Sequence, residues 1–346
     1  MAIFRYNIGI LITSLLLLSS CEKDFYVQEL DLLQNQNFNT DVRVQGSEFN
    51  GLIIDNCTFD GGELYISDVD SVIVKNCTFK NQKKNGIRVG FGGKASNITI
   101  ENCSFNNIGS NGIDSHENAP NGIIKNCYFE NCALSDVGAA MGQPHHAIYW
   151  KGENVKIIQN TFVNGDQRFG NSISHRSSGI IAGNKIYGSN KYGIMYFADH
   201  PGGDSLIIEN NFVSNSKNGI GITTPGTLEN HNKNVVIRFN SVAECQTYAV
   251  FVHNDFETTS NIFTYGNILV QKNEKYLTAP ESVIDSLNLK QPSDIGFVNI
   301  NSGDLHLLQN SVAINFCSGL NVFPVFDIDG EPRQSLNLDA GADEVD

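Results

Sequence analysis

Short apolar segments recur along the chain, and within each the apolar positions alternate with polar ones. They read IIDNCTF, VIVKNCTF, ITIENCSF, IIKNCYF, KIIQNTF, IIAGNKI, LIIENNF, VVIRFNSV and FTYGNIL. A period of two predicts strands that bury one face, and no helical period competes with it. The asparagines in these segments (Asn56, Asn76, Asn102, Asn126, Asn160, Asn184, Asn210, Asn240 and Asn267) are spaced by 20 to 34 residues. A repeat of this length, built from short strands and Gly/Asn turns, predicts an all-β right-handed parallel β-helix of about nine to ten coils. Each asparagine is expected at the same tight turn, tolerating left-handed backbone and bonding its equivalent on the next coil. Cys57, Cys77, Cys103 and Cys127 follow four of them, with Phe59, Phe79, Phe105 and Phe129 two residues on. Alternation turns both sets inward as stacked core columns, the thiols packing rather than reacting.

A second strand per coil begins at Ile87, Ile113, Ile148, Ile173, Ile194, Ile220 and Val250, mostly after glycine. If these apolar residues face the core, the outward positions are Arg88 and Gly90, Asp114 and His116, Tyr149 and Lys151, Ser174 and Arg176. Beyond them the column turns bland: Met195 and Phe197, Gly221 and Thr223, Phe251 and His253. Neighbouring coils lie about 4.8 Å apart, so Arg88, Asp114, His116, Tyr149, Lys151 and Arg176 are expected on one face within about 15 Å. His175 and Trp150 are expected inside. Long coils converge here too. The insertion at residues 132–146 ends in His145 and His146, and the Asp199 loop follows Phe197, so these residues are candidate walls of a cleft.

The pattern divides the chain into a leader at 1–20, an N-terminal tether or cap at 21–40, the β-helix at 41–270, and last irregular coils with a closing cap at 271–346. The Asp-Gly-x-x-Arg and final Asp-x-Gly-Ala of the tail resemble the closing segment of exported bacterial β-helix lipoproteins. Its expected task is to cover the last open coil. In the leader, Arg5, the apolar run from Ile8 to Leu18 and Leu18-Ser19-Ser20-Cys21 resemble a bacterial lipobox. The run is too short to span a bilayer as a mature helix. The expectation is export with lipidation at Cys21, placing a monomer on the outer membrane through its lipid alone.

The formal charge of −14 argues against nucleic acid, which needs a basic field. Against that background, three cations gathered on one face with a histidine, a tyrosine and a carboxylate make an acid–base site for an anionic sugar polymer. Zinc of the usual spacing is unsupported, because there is no CxxC pair.

Two resemblances sharpen this. The run AIYWKGENVKIIQNTF…SISHRSSGIIAGNKIYG is similar to the active coils of polysaccharide lyase family six, the chondroitinase B and alginate lyase group. That implies Lys151 and Arg176 as the catalytic pair. Gly152 and Ser177 stand where the family has Ser and His. Pro144-His145-His146 replaces acidic calcium ligands, leaving Asp114 and Glu117 as possible Ca²⁺ ligands. The run NGIDSHEN resembles the Asp-Pro-His-Asp/Glu motif of mannuronan C5-epimerases, implying His116 as catalytic beside Asp114, with Ser115 in place of Pro. Both chemistries begin by removing the C5 proton of a uronate. The expected function is therefore a lyase acting on an acidic polysaccharide by β-elimination, with Lys151, Arg176, His116 and Tyr149 in the reaction and Arg88, Asp114, His145, His146, Phe197 and Asp199 binding substrate. The alternatives are a C5-epimerase, a glycoside hydrolase and a noncatalytic carbohydrate-binding lipoprotein. Hydrolysis needs paired carboxylates, for which Asp136 and Asp199 are loop candidates.

Overall fold

A computed structural model describes residues 24–27, 33–135, 145–163, 170–200, 205–224, 234–256, 261–334 and 336–345. The leader, Cys21 and Asp136 lie outside them. Three parallel sheets of eleven strands each wind as a solenoid, every coil giving one strand to each sheet. Sheet A runs from Phe25–Tyr26 through Val42–Gln45, Leu64–Ser67, Ile87–Val89, Ile113–Ser115, Ile148–Trp150 and Ile173–His175 to Leu277–Thr278. Sheet B holds the IIDN-type segments, and sheet C the strands after them. Short strands at both ends, where alternation fades, add coils beyond those the asparagines mark. Among the described residues the helical elements are three single 3₁₀ turns.

Inward residues form one continuous core. Phe59, Phe79, Phe105, Phe129 and Phe162 stack with ring centroids 4.6, 4.9, 4.6 and 4.8 Å apart and planes within 7° of parallel. Coil spacing and ring thickness match, so each coil offers the next a flat apolar surface. Cys57, Cys77, Cys103 and Cys127 are buried and unpaired. The neighbouring Cys103 thiol, together with burial, pushes the Cys77 thiol up to about 12.

The asparagines do not share one position, as the sequence reading expects. Asn56, Asn76, Asn102 and Asn126 do take the left-handed turn, with φ of 54°, 54°, 53° and 54°. From the fifth coil, that turn is made by Gln159, Gly183, Asn210, Phe239 and Gly266. Asn160, Asn184, Asn211, Asn240 and Asn267 sit one residue later, fully buried, in the column the cysteines occupied. Each donates its side-chain amide to the next member: Asn160 to Asn184 at 3.0 Å, then 2.9 Å at each of the next three steps. Cys127 hands over directly, its N–H donating to Asn160 Oδ1 at 2.9 Å. The thiol column thus becomes an amide ladder, which satisfies buried polar groups coil by coil.

The tail also differs from expectation. Its contacts run along the flank of the solenoid. Outward positions of sheet C change from Thr78 and Lys80 or Ser104 and Asn106 to Phe212, Ile268 and Val270, and a second core with Leu305, Leu307, Ile328, Leu338 and Ala342 covers them. The Gly341 N–H bonds the Gly266 carbonyl at 2.8 Å, and Arg333 lies 4.9 Å over the Phe239 ring. An apolar outward face needs a lateral layer, and the tail supplies it.

Candidate active site

Sheet A builds the candidate face. Its register runs Arg43, Tyr65, Arg88, Asp114, Tyr149, Ser174, Met195, Gly221 and Phe251, each opposite the next. The apolar residues just before these positions point inward: Leu64, Ile87, Ile113, Ile148 and Ile173 are completely buried. His116, Lys151 and Arg176 stand just past their strands. The His116 and Arg176 N–H groups continue the ladder, bonding the Val89 and Trp150 carbonyls at 2.8 and 3.0 Å. The Lys151 N–H is held instead by Ser115 Oγ at 2.9 Å. One face therefore carries Arg88, Asp114, His116, Tyr149, Lys151 and Arg176.

At its centre is Tyr149. The Arg176 guanidinium lies 4.8 Å from the ring centroid and Lys151 Nζ 5.0 Å from it. Burial raises the phenol's pKa against the pull of Arg176, so Tyr149 keeps its proton at neutral pH. Arg176 is sandwiched, with Phe197 4.4 Å away, and donates through Nη1 to Asp199 Oδ2 at 2.8 Å. Lys151 has no carboxylate among the described ion pairs. Asp114 stands 3.7 Å from Arg88 Nε, and burial pushes its pKa up to about 6 despite Arg88 and Lys151.

His146 is 2% exposed and packs behind Tyr149 at 5.2 Å, accepting the Asn171 N–H on Nδ1 at 3.0 Å. Burial, with Arg176 and Lys191, holds it well below the usual histidine range. It supports the tyrosine from inside. His145 is half-buried, and burial lowers its pKa too. His175 and Trp150 are inside, His175 pushed down to about 4 by burial with its Nε2 3.1 Å from the Ser178 carbonyl.

Three residues of this face escape the sequence reading. His200 lies 3.4 Å through Nδ1 from Glu117 Oε2, although three strand steps separate their coils, so this side chain reaches back to within electrostatic range of Lys151 and Arg176. Burial lowers its pKa against the pull of Asp199 and Glu117, with Lys151 and Arg176 acting in the same direction as burial. Phe91 is carried between Gly90 and Gly92, both at positive φ, and meets Arg88 at 3.9 Å and His116 at 5.4 Å. Tyr65 continues the outward column one coil before Arg88. Tyr65 was readable, because LYIS alternates like its neighbours. His200 was signalled only by its place beside Asp199.

Calcium does not fit these side chains. Asp114 is engaged by Arg88, Glu117 by His200, and no third ligand joins them among the described residues. The one described cluster of metal-ligand type is His306, Asp329 and Asp343, in the tail. Two cavities open in the tail, one along Leu289 and Phe316 and one along Gln309 and Glu344.

No curated protein matches the sequence. The family model for the right handed beta helix region matches residues 27–143 and 131–312. Among solved structures, the tailspike protein of E. coli bacteriophage HK620 in complex with pentasaccharide is similar at 14% identity and a TM-score of 0.42, over 87% of this chain and 61% of that one. This chain thus spans about three fifths of the tailspike chain. The endo-xylogalacturonan hydrolase from Aspergillus tubingensis is similar at 11% identity and a TM-score of 0.28, over 84% and 86%.

Proposed function

This chain belongs to the right-handed β-helix family, and on that premise we propose that it is a polysaccharide lyase cleaving a uronate-containing polymer on the outward face of sheet A. The observation that carries the reading is the gathering of Lys151 and Arg176 around a protonated Tyr149, with Arg88 two coil steps along the same column, on a strongly acidic protein. Arg176 neutralises the carboxylate of the reacting sugar, which makes the C5 proton acidic. Lys151 takes that proton on Nζ. The C5–H electron pair becomes the C4–C5 double bond, the C4–O4 bond breaks, and Tyr149 protonates the departing O4. His200 is a second base beside this centre, oriented by Glu117.

The test is incubation of the purified protein with alginate, pectate and glycosaminoglycans. Ultraviolet absorbance from an unsaturated uronate is the expected result. An altered epimer ratio without chain shortening replaces elimination by C5-epimerisation. Binding without turnover makes the protein a carbohydrate-binding lipoprotein.

One observation favours a second reading. A carboxyl group at about 6, as Asp114 is, has the acidity of a glycosidase general acid. Asp199, which acts on the same Tyr149, would be its partner. Saturated reducing ends without new absorbance support hydrolysis. We also propose that the leader exports the chain and that Cys21 anchors it by lipid to the outer membrane.

A further inference from the structure

The geometry points to a second, noncatalytic saccharide subsite beside the reaction centre, formed by Arg43, Tyr65, Arg88 and Phe91 and selective for an anionic sugar. This rests on the reading of sheet A as the substrate face. The outward column that carries Tyr149 and Asp114 continues through Arg88 and Tyr65 to Arg43 without a break in register. The Arg43 guanidinium lies 4.0 Å over the Tyr65 ring, and that of Arg88 lies 5.5 Å from the same ring and 3.9 Å over Phe91. Cation and ring therefore alternate along the solenoid axis. Arg43 Nε is already held by Asp24, so the edge left to a carboxylate or sulfate there is the terminal pair of nitrogens, which the ring beneath keeps in plane.

The platform is built in. The Tyr65 hydroxyl donates to Glu63, a carboxylate only 1% exposed, which also receives the Asn85 backbone and side-chain N–H groups at 2.7 and 2.8 Å. Arg88 Nε is buried and makes no hydrogen bond, and its 3.7 Å approach to Asp114 is too long for one. Sheet B shows what an ordinary solvated face of this protein looks like. There Asp55, Lys75, Glu101 and Lys125 alternate in sign along one column and pair with each other, without aromatic residues between them. The sheet A strip differs by interleaving rings with cations. Arg43 and Asp114 are three coil steps apart, about 14 Å. An acidic chain lying along the axis thus spans from Arg43 to Tyr149, and its affinity grows with length.

The test compares KM for a long polyuronate with KM for the shortest cleaved oligomer, together with mobility in gels containing the polymer. Arg43→Gln and Tyr65→Leu are expected to raise KM for the long chain about tenfold, and for the short oligomer by much less. Arg43→Lys, which keeps charge but not the planar fork, recovers only part of the loss. Lys80→Gln, on sheet C, retards like the parent. Equal KM shifts at all lengths, or variants retarded as strongly as the parent, overturn the subsite while leaving the reaction centre standing. A parent protein that neither cleaves nor binds any acidic polymer overturns both. Melting curves that match the parent exclude misfolding as the cause.

Discussion

Single side chains decide the chemistry, and they can be changed one at a time. Tyr149→Phe and Lys151→Met are each expected to lower kcat by about 10²–10⁴-fold, the usual weight of a proton-transfer group, measured as the rate of unsaturated product formation. His200→Asn tests the second base, and a similar fall moves proton abstraction to that imidazole. Asp114 yields a stability prediction with a definite sign. Burial raises its carboxyl from the ordinary 3.8 to about 6, so the folded state holds this proton more tightly than the unfolded state. Stability is therefore lost as pH rises from about 4 to 6, and Asp114→Asn should be more stable than the parent above that window by roughly 2–3 kcal/mol. In acid the two should unfold alike, which denaturant titration at both pH values checks. Much of this face was legible in the sequence, because one register assumption at Ile87 generates Arg88, Asp114, Tyr149 and Ser174 in order. His200 was not, since it reaches Glu117 by a loop path that no periodicity encodes. Nor could the sequence tell that His146 supports Tyr149 from behind, because an adjacent pair of histidines carries no direction.

At the scale of the strand and turn, the repeat was visible but its alignment was not. Matching the segments by their asparagines puts Asn160 over Asn126. The backbone instead puts Gln159 there and Asn160 over Cys127. Small buried residues, thiol or amide, fill the inner column, and the left-handed turn accepts Asn, Gln, Gly or even Phe239. The distinction lies in the residue after the asparagine, not in the asparagine itself. Replacing Asn211 by Ala leaves buried groups of Asn184, Ile181 and Glu209 without their partner, and should destabilise by about 2–4 kcal/mol. Asn56→Ala, at an exposed turn, should cost far less than Asn211→Ala. Phe105→Ala, which opens a gap in the ring stack, belongs with the larger losses, about 3–5 kcal/mol. Unfolding monitored by circular dichroism ranks the three.

The whole molecule is a straight ladder with one flank covered. Loss of alternation in NNFVS, NSVAE and NILVQ was already a sign that sheet C needs a partner there, and the tail provides it. Truncation after Ser302 should expose Phe212, Ile268 and Val270, lower Tm by at least about 5 °C and promote aggregation. Export and anchoring make a separate prediction: Cys21→Ser abolishes lipid labelling and moves the protein out of the membrane fraction. The central claim, that four neighbouring coils of sheet A form the surface on which an acidic polysaccharide is handled, is tested most directly by a crystal structure. The Tyr149→Phe variant would be soaked with a saturated uronate oligosaccharide. Sugar density along sheet A, with a carboxylate at Arg176 and C5 facing Lys151, is the predicted result. Density confined to sheet B, sheet C or the tail would contradict it.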